Sequence, residues 1–265
     1  MASPSHNKFG RTSLAAAAVL LFPLGARPQP VPPQAAPAQR TPVLVELFTS
    51  EGCSDCPPAD DFLGRLDTEQ PVSAAQIIVL SEHVTYWNHL GWMDPFSLID
   101  IDQRQEDYAR QFALPSPATP EFVVDGAAQV EGLNPETLMQ KIDRAAAAPK
   151  AAVEIDGAHR AADGSVDFAV KASTGPKTNL VAAVAENATH SEVSHGENKG
   201  RTLHHVAVVR VLKDFGSNAA DGRPLRLSSS DLLRAEKDGE PLRLVIFFVS
   251  RKDGHVVAAA QQILN

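Results

Sequence analysis

The stretch VLVELFTSEGCSDCPPAD, Val43–Asp60, decides the reading of this chain. Val43 to Phe48 is a nearly unbroken apolar run, the pattern of a strand buried on both faces. Thr49 to Asp55 has turn composition. Pro57 to Leu66 opens with proline and spaces Ala59, Phe62, Leu63 and Leu66 at helical intervals. The order is therefore strand, Cys53-x-x-Cys56 turn, helix. Pro57 and Pro58 lack N–H groups, which places the helix start at Pro57 with Cys56 near its N-cap. These are the only 2 cysteines in 265 residues. The count excludes a disulfide-dense scaffold and a four-cysteine zinc site, and allows one disulfide or one redox pair.

Further along, Gln76–Leu80 (QIIVL) reads as a second strand, and Phe96–Leu114 contains a helix. Thr119-Pro120 precedes the strand Glu121–Asp125. Asp125-Gly126 signals a hairpin returning through Ala127–Glu131. Asn134 as N-cap and Pro135 at N1 open a helix to about Ala147, with Leu138, Met139 and Ile142 on its apolar face.

The ends and the charge set the compartment. Lys8 and Arg11 precede a twelve-residue apolar run, Ser13–Leu24, too short to span a bilayer as a helix. Residues 1–26 read as an export signal, and residues 27–41, rich in Pro, Ala and Gln, as an extended linker. The expected location is periplasmic or secreted, with no stable membrane span once the signal is removed. The formal charge is −8, with 24 Lys+Arg and 32 Asp+Glu and no basic block, which argues against nucleic-acid binding through phosphate neutralisation.

A CxxC beside a βαβ pattern, followed by Pro120 before the strand EFVVD, resembles a thioredoxin-like protein. More specifically, the chain resembles a family of secreted bacterial proteins of unknown function with a thioredoxin-like domain. The matching stretches are Val45–Asp60, His83–Phe96 (HVTYWNHLGWMDPF), Arg104–Ala109 (RQEDYA) and Thr119–Gly126 (TPEFVVDG), within a likeness covering roughly residues 43–265. The resemblance implies a thioredoxin-like α/β domain over 42–149, with an insert from Glu82 to Asp102. It implies that Cys53 attacks and Cys56 resolves, and that Pro120, held cis, presents backbone to a substrate. Secondary site candidates in the matching stretches are His83, Glu51 and Thr119, followed by Arg104, Gln105 and Tyr108.

A thiolate is the attacking species, and a helix N-terminus favours it. Asp55, between the cysteines, opposes it. The chemistry leaves several readings open. The first is thiol–disulfide oxidoreduction, without a cofactor, on an exported thiol or disulfide protein or a small thiol. The second is a non-catalytic binding protein stapled by a structural Cys53–Cys56 disulfide. The third is a copper or zinc chaperone using Cys53, Cys56 and His83. The aromatic insert holds Tyr86, Trp87 and Trp92, either lining a cleft or packing beneath a loop. Arg104 is expected to pair with a carboxylate such as Asp94.

Residues 150–265 change character. Strand-like runs at 151–155, 166–171, 180–186, 203–212, 242–249 and 256–263, with turns at Asp156-Gly157, Asp163-Gly164 and Asp253-Gly254, predict a separate, mainly β, sandwich-like domain. Ser228–Arg234 reads as a short helix. His204 and His205 would point to opposite faces of their strand. The domain's expected roles are docking a partner or covering the first domain's active face.

Overall fold

The computed structural model describes residues 40–175, 177–217, 219–232 and 241–264. Residues 1–26, read above as an export signal, and nearly all of the stretch read as a linker lie outside them. Arg40 and Thr41, assigned to the linker, are part of the fold: Thr41 opens the first strand, and Arg40 Nη2 donates to Gln70 Oε1 at 3.1 Å.

The first half follows the local signals. Strand β1 (Thr41–Thr49) is buried from Val43 onward and runs parallel to β2 (Ala75–His83). Helix α1 (Pro57–Glu69) lies between them in sequence and buries Ala59, Phe62, Leu63 and Leu66, the expected stripe. Helix α2 (Ile99–Gln111) begins within the last residues of the insert. Strands β3 (Glu121–Val124) and β4 (Ala128–Glu131) form the hairpin, and β3 pairs antiparallel with β1. In its three-residue loop, 125–127, Asp125 and Gly126 have φ of 50° and 60°, and the Ala127 N–H donates to the Val124 carbonyl at 2.9 Å. Helix α3 (Pro135–Ala146) is capped by Asn134, whose side chain accepts from the Thr137 N–H at 3.0 Å.

Phe48 meets Tyr108 of α2 edge-to-face, whereas the next residue, Thr49, donates its hydroxyl to Asp60 of α1 at 3.2 Å. Successive strand residues face opposite ways, so α1 and α2 cover opposite faces of β1.

The second half is where the expectation fails. Its strands are β5 (Val153–Arg160), β6 (Val166–Ala172), β7 (Thr178–Glu192), β8 (Thr202–Gly216), β9 (Asp221–Leu227), β10 (Leu242–Ser250) and β11 (Val256–Leu264), with a short helix α4 (Ser229–Leu232). Four of them do not form a domain of their own. They extend the first sheet, giving one mixed eight-stranded sheet in the order β11-β10-β7-β8-β2-β1-β3-β4. The join is parallel, at Ser81↔Val208. A thioredoxin-like α/β domain followed by a separate β-sandwich domain is thus not the fold; the chain is mostly β, with one sheet running through both halves. The physical reason lies in β2, which is buried along nearly its whole length, so its outer edge needs a neighbour, and β8 supplies it.

A second sheet, β5-β6-β9, has only three strands. Alternation along β7 and β10 shows how it is accommodated. Val181, Ala183, Ala185, Val245 and Phe247 join the core built on β1 and β2. Leu180, Ala182, Val184, Leu244, Ile246 and Phe248 share a second core with Val166, Phe168, Val170, Leu225 and Leu227 of the small sheet.

Candidate functional site

Cys53 and Cys56 are joined as a disulfide, with Cα atoms 5.4 Å apart. The turn forms because β1 ends at Thr49 and the Cys53 N–H closes back onto the Ser50 carbonyl at 3.1 Å. Cys56 is the N-cap of α1, and its carbonyl accepts from the Ala59 and Asp60 N–H groups at 2.8 and 3.0 Å. The helix therefore starts where the two prolines require, and its N-terminus lies at Cys56 rather than Cys53. Asp55 is exposed, so solvent screens its opposition to a thiolate. The cysteines themselves are not exposed: Cys53 is 1% accessible and Cys56 0%.

The Thr119 carbonyl oxygen lies 3.8 Å from Cys53 Sγ, and the Thr119–Pro120 peptide is cis. The chain thus brings Cys53, Cys56, Thr119 and Pro120 to one place. Trp87 Nε1 donates to Thr119 Oγ1 at 2.7 Å. Gln105, wholly buried, donates to Ala118 O at 2.7 Å and Glu121 Oε2 at 2.8 Å, which fixes the same loop from α2. Gln105 is a structural support there.

Behind the turn is a buried ionic network. Glu51, 1% accessible, accepts from Trp92 Nε1 at 2.7 Å, from His205 Nε2 at 3.2 Å and from the Ser191 hydroxyl. On the other side of His205, Nδ1 is 3.8 Å from Asp60 Oδ1, a charge contact beyond hydrogen-bond reach. Burial alone would lower the His205 pKa. The Asp60 and Glu51 carboxylates outweigh it and push it up to about 10, so His205 is an imidazolium at neutral pH.

His83 donates from Nδ1 to Asp94 Oδ2 at 2.8 Å. Burial would raise Asp94, but the His83 ring and the Glu51 and Phe96 N–H groups prevail and hold it below its ordinary value. The His83 and His205 rings meet edge-to-face with centroids 4.7 Å apart. Asp94 is therefore the partner of His83, not of Arg104. Arg104 lies on the α2 face and donates to Glu46 Oε1 at 2.6 Å and to the Tyr108 hydroxyl at 2.9 Å. Neither Arg104 nor Tyr108 belongs to the cysteine turn.

Among the described residues, no group of three or more His, Cys, Asp or Glu is arranged to hold a metal ion, and no helix is long and apolar enough to cross a membrane. In the proposed chaperone set, the two sulfurs bond each other and His83 Nδ1 is held by Asp94.

Sequence reasoning did not assign to the cysteine turn the residues that β7, β8 and their connection send there: Ser191, Asn198 and His205. Asn198 Nδ2 donates to the carbonyls of both Glu51 and Cys53 at 2.9 Å. For His205 a signal existed. It occupies an inward position between the buried Leu203 and Ala207, and a polar residue there needs buried partners.

Solved structures that share the fold include two from bacteria. One is an X-ray structure of a protein from Agrobacterium tumefaciens, 23% identical, covering 85% of this chain and 95% of its own, with a TM-score of 0.61. The other is HBP35 of Porphyromonas gingivalis, 16% identical, covering 85% of this chain and 76% of its own, with a TM-score of 0.59. At these identities the likeness concerns the fold alone. Among curated proteins none matches the chain. Residues 44–247 match the family described as "Protein of unknown function (DUF1223)", and that span includes the cysteine turn, the Thr119–Pro120 loop, Asn198 and His205. The chain is a member of the DUF1223 family.

Proposed function

We propose that this chain carries out thiol–disulfide exchange through Cys53 and Cys56, on a thiol or disulfide of an exported protein or on a small thiol, in a periplasmic or secreted setting. The observation that carries the reading is the placement of the pair. A disulfide closed over four residues sits at a helix N-terminus, with the Thr119 backbone 3.8 Å from Cys53 Sγ. Cys53 is assigned the attack and Cys56 the resolving role. The helix N-terminus at Cys56 favours the Cys56 thiolate, which makes it the better leaving group when Cys53 is attacked. Chemically, an incoming thiolate bonds to Cys53 Sγ and the Cys53–Cys56 bond breaks. The electron pair leaves on Cys56 Sγ, which then takes a proton. Attack by a second thiol on the mixed disulfide completes a two-electron reduction of the pair.

The near-complete burial of both cysteines favours a second reading, a structural staple in a binding protein. Equilibration against glutathione buffers separates the two. Exchange chemistry predicts a potential above about −230 mV, and a staple one below about −300 mV.

A further inference from the structure

The connection between β7 and β8 reaches back across the sheet to the cysteine turn. Asn198 is 1% accessible, and its amide orientation is set by its partners: Arg201 Nη1 donates to Oδ1 at 2.7 Å, which leaves Nδ2 facing two carbonyls. Those carbonyls belong to Glu51 and Cys53, so one amide group brackets Gly52. The Cys53 carbonyl also accepts from the Cys56 N–H at 3.4 Å, and the bond from Asn198, at 2.9 Å, is the shorter of the two. The opposite side of the turn is closely packed. A Cβ on Gly52 would lie 3.1 Å from Trp87 Cβ. The connection is also fitted against the insert: Gly196 has a φ of +76°, which favours glycine, and a Cβ there would lie a tight 3.1 Å from Trp92 Cβ.

Cys53 is therefore pinned at its N–H by Ser50, at its carbonyl by Asn198, and at Sγ against Thr119. We propose that Asn198 is a positioning residue that keeps Cys53 seated in the oxidised pair, so that the second half of the chain gates access of an incoming thiol to the disulfide. In its functional consequence this rests on the exchange reading above; the seating itself is measurable without any substrate. With both sulfurs buried, thiol attack requires the turn to lift, and lifting breaks the two Asn198 bonds.

The test follows reduction of the protein's own disulfide by dithiothreitol. One thiolate of the reagent attacks, its second thiol displaces the mixed disulfide, and the protein gains two electrons and two protons while the reagent cyclises. Free thiols are then counted by alkylation and mass spectrometry. Losing the two bonds in Asn198→Ala speeds reduction roughly tenfold. Asn198→Asp keeps the size and the Arg201 contact but has no N–H to give, and it speeds reduction to a similar degree. Arg243→Ala is the control. It removes a paired contact to Asp67 of α1, at 2.9 and 2.8 Å, remote in sequence from the turn. It lowers thermal stability yet leaves the reduction rate unchanged below the unfolding range. Wild-type rates in both folded Asn198 variants, or equal acceleration in Arg243→Ala, overturn the proposal. Acceleration in the Asn198 variants of a protein that exchanges with no partner supports the seating and defeats the exchange reading instead.

Discussion

Two buried polar clusters lie on opposite faces of the β1–β2 pair, and comparing them separates scaffold from site. On the α2 face, Glu46 accepts from Arg104 at 2.6 Å and from the Tyr108 hydroxyl at 2.7 Å, with Glu82 beside them. All four residues come from the first half of the chain, and the guanidinium balances the charge. On the α1 face, Glu51, Asp60 and His205 form a charged network directly behind the cysteine turn, and the second half contributes Ser191, Asn198 and His205. Burial of charge is common to both, so it does not mark the site. What sets the α1-face cluster apart is contact with the Cys53–Cys56 turn and dependence on residues from both halves.

If the α2-face cluster is scaffold, breaking it costs stability and nothing else. Arg104→Ala leaves Glu46 buried without its cation and lowers stability by about 3–5 kcal/mol in chemical denaturation. Reduction of the disulfide in the folded protein proceeds at the wild-type rate. A changed rate would merge the two clusters into one functional unit.

The α1-face cluster should respond to pH through His205. Its folded pKa is raised from 6.5 to about 10. The stability it contributes is thus complete below about pH 6.5 and lost as pH rises towards 10. His205→Gln is expected to cost roughly 2–4 kcal/mol near pH 6 and progressively less towards pH 10. Parallel stability curves for wild type and variant across that range would contradict the imidazolium assignment.

The smallest effect belongs to Glu82. Burial, then the neighbouring Glu46, raise its pKa well above the ordinary value, with Arg104 opposing. A raised carboxyl pKa makes folding less favourable as pH climbs above about 4.5. Glu82→Gln removes that penalty. The variant gains on the wild type with rising pH and stays within about 1 kcal/mol of it at neutral pH. A large loss at neutral pH would show that Glu82 bears charge in the folded protein.

The turn was legible because its signals are local. The apolar run before Cys53, the prolines after Cys56 and the stripe on α1 each act within a few residues, and β1 and α1 appear where they indicate. Asn134 as a cap was legible for the same reason. The sheet order was not. Which strand occupies the free edge of β2 is a long-range choice, and neither the β2 nor the β8 pattern names its neighbour. Strand β9 (Asp221–Leu227) escaped because Arg223, Pro224 and Arg226 interrupt it, leaving only Leu225 and Leu227 to face the second core. Asp94 was assigned to Arg104 on charge alone. The register that sends His83 to the α1 face and Glu82 to the α2 face decided otherwise.

The most direct test of the exchange reading is trapping with single-cysteine variants of the full chain expressed in a bacterial host. If Cys53 attacks and Cys56 resolves, Cys56→Ser accumulates a mixed disulfide on Cys53 that collapses on reduction, and Cys53→Ser accumulates far less. Trapping on Cys56 instead would reverse the two roles but keep the chemistry. If neither variant traps a protein or small thiol, and the wild type reduces no disulfide substrate, the pair is a staple and the account is wrong.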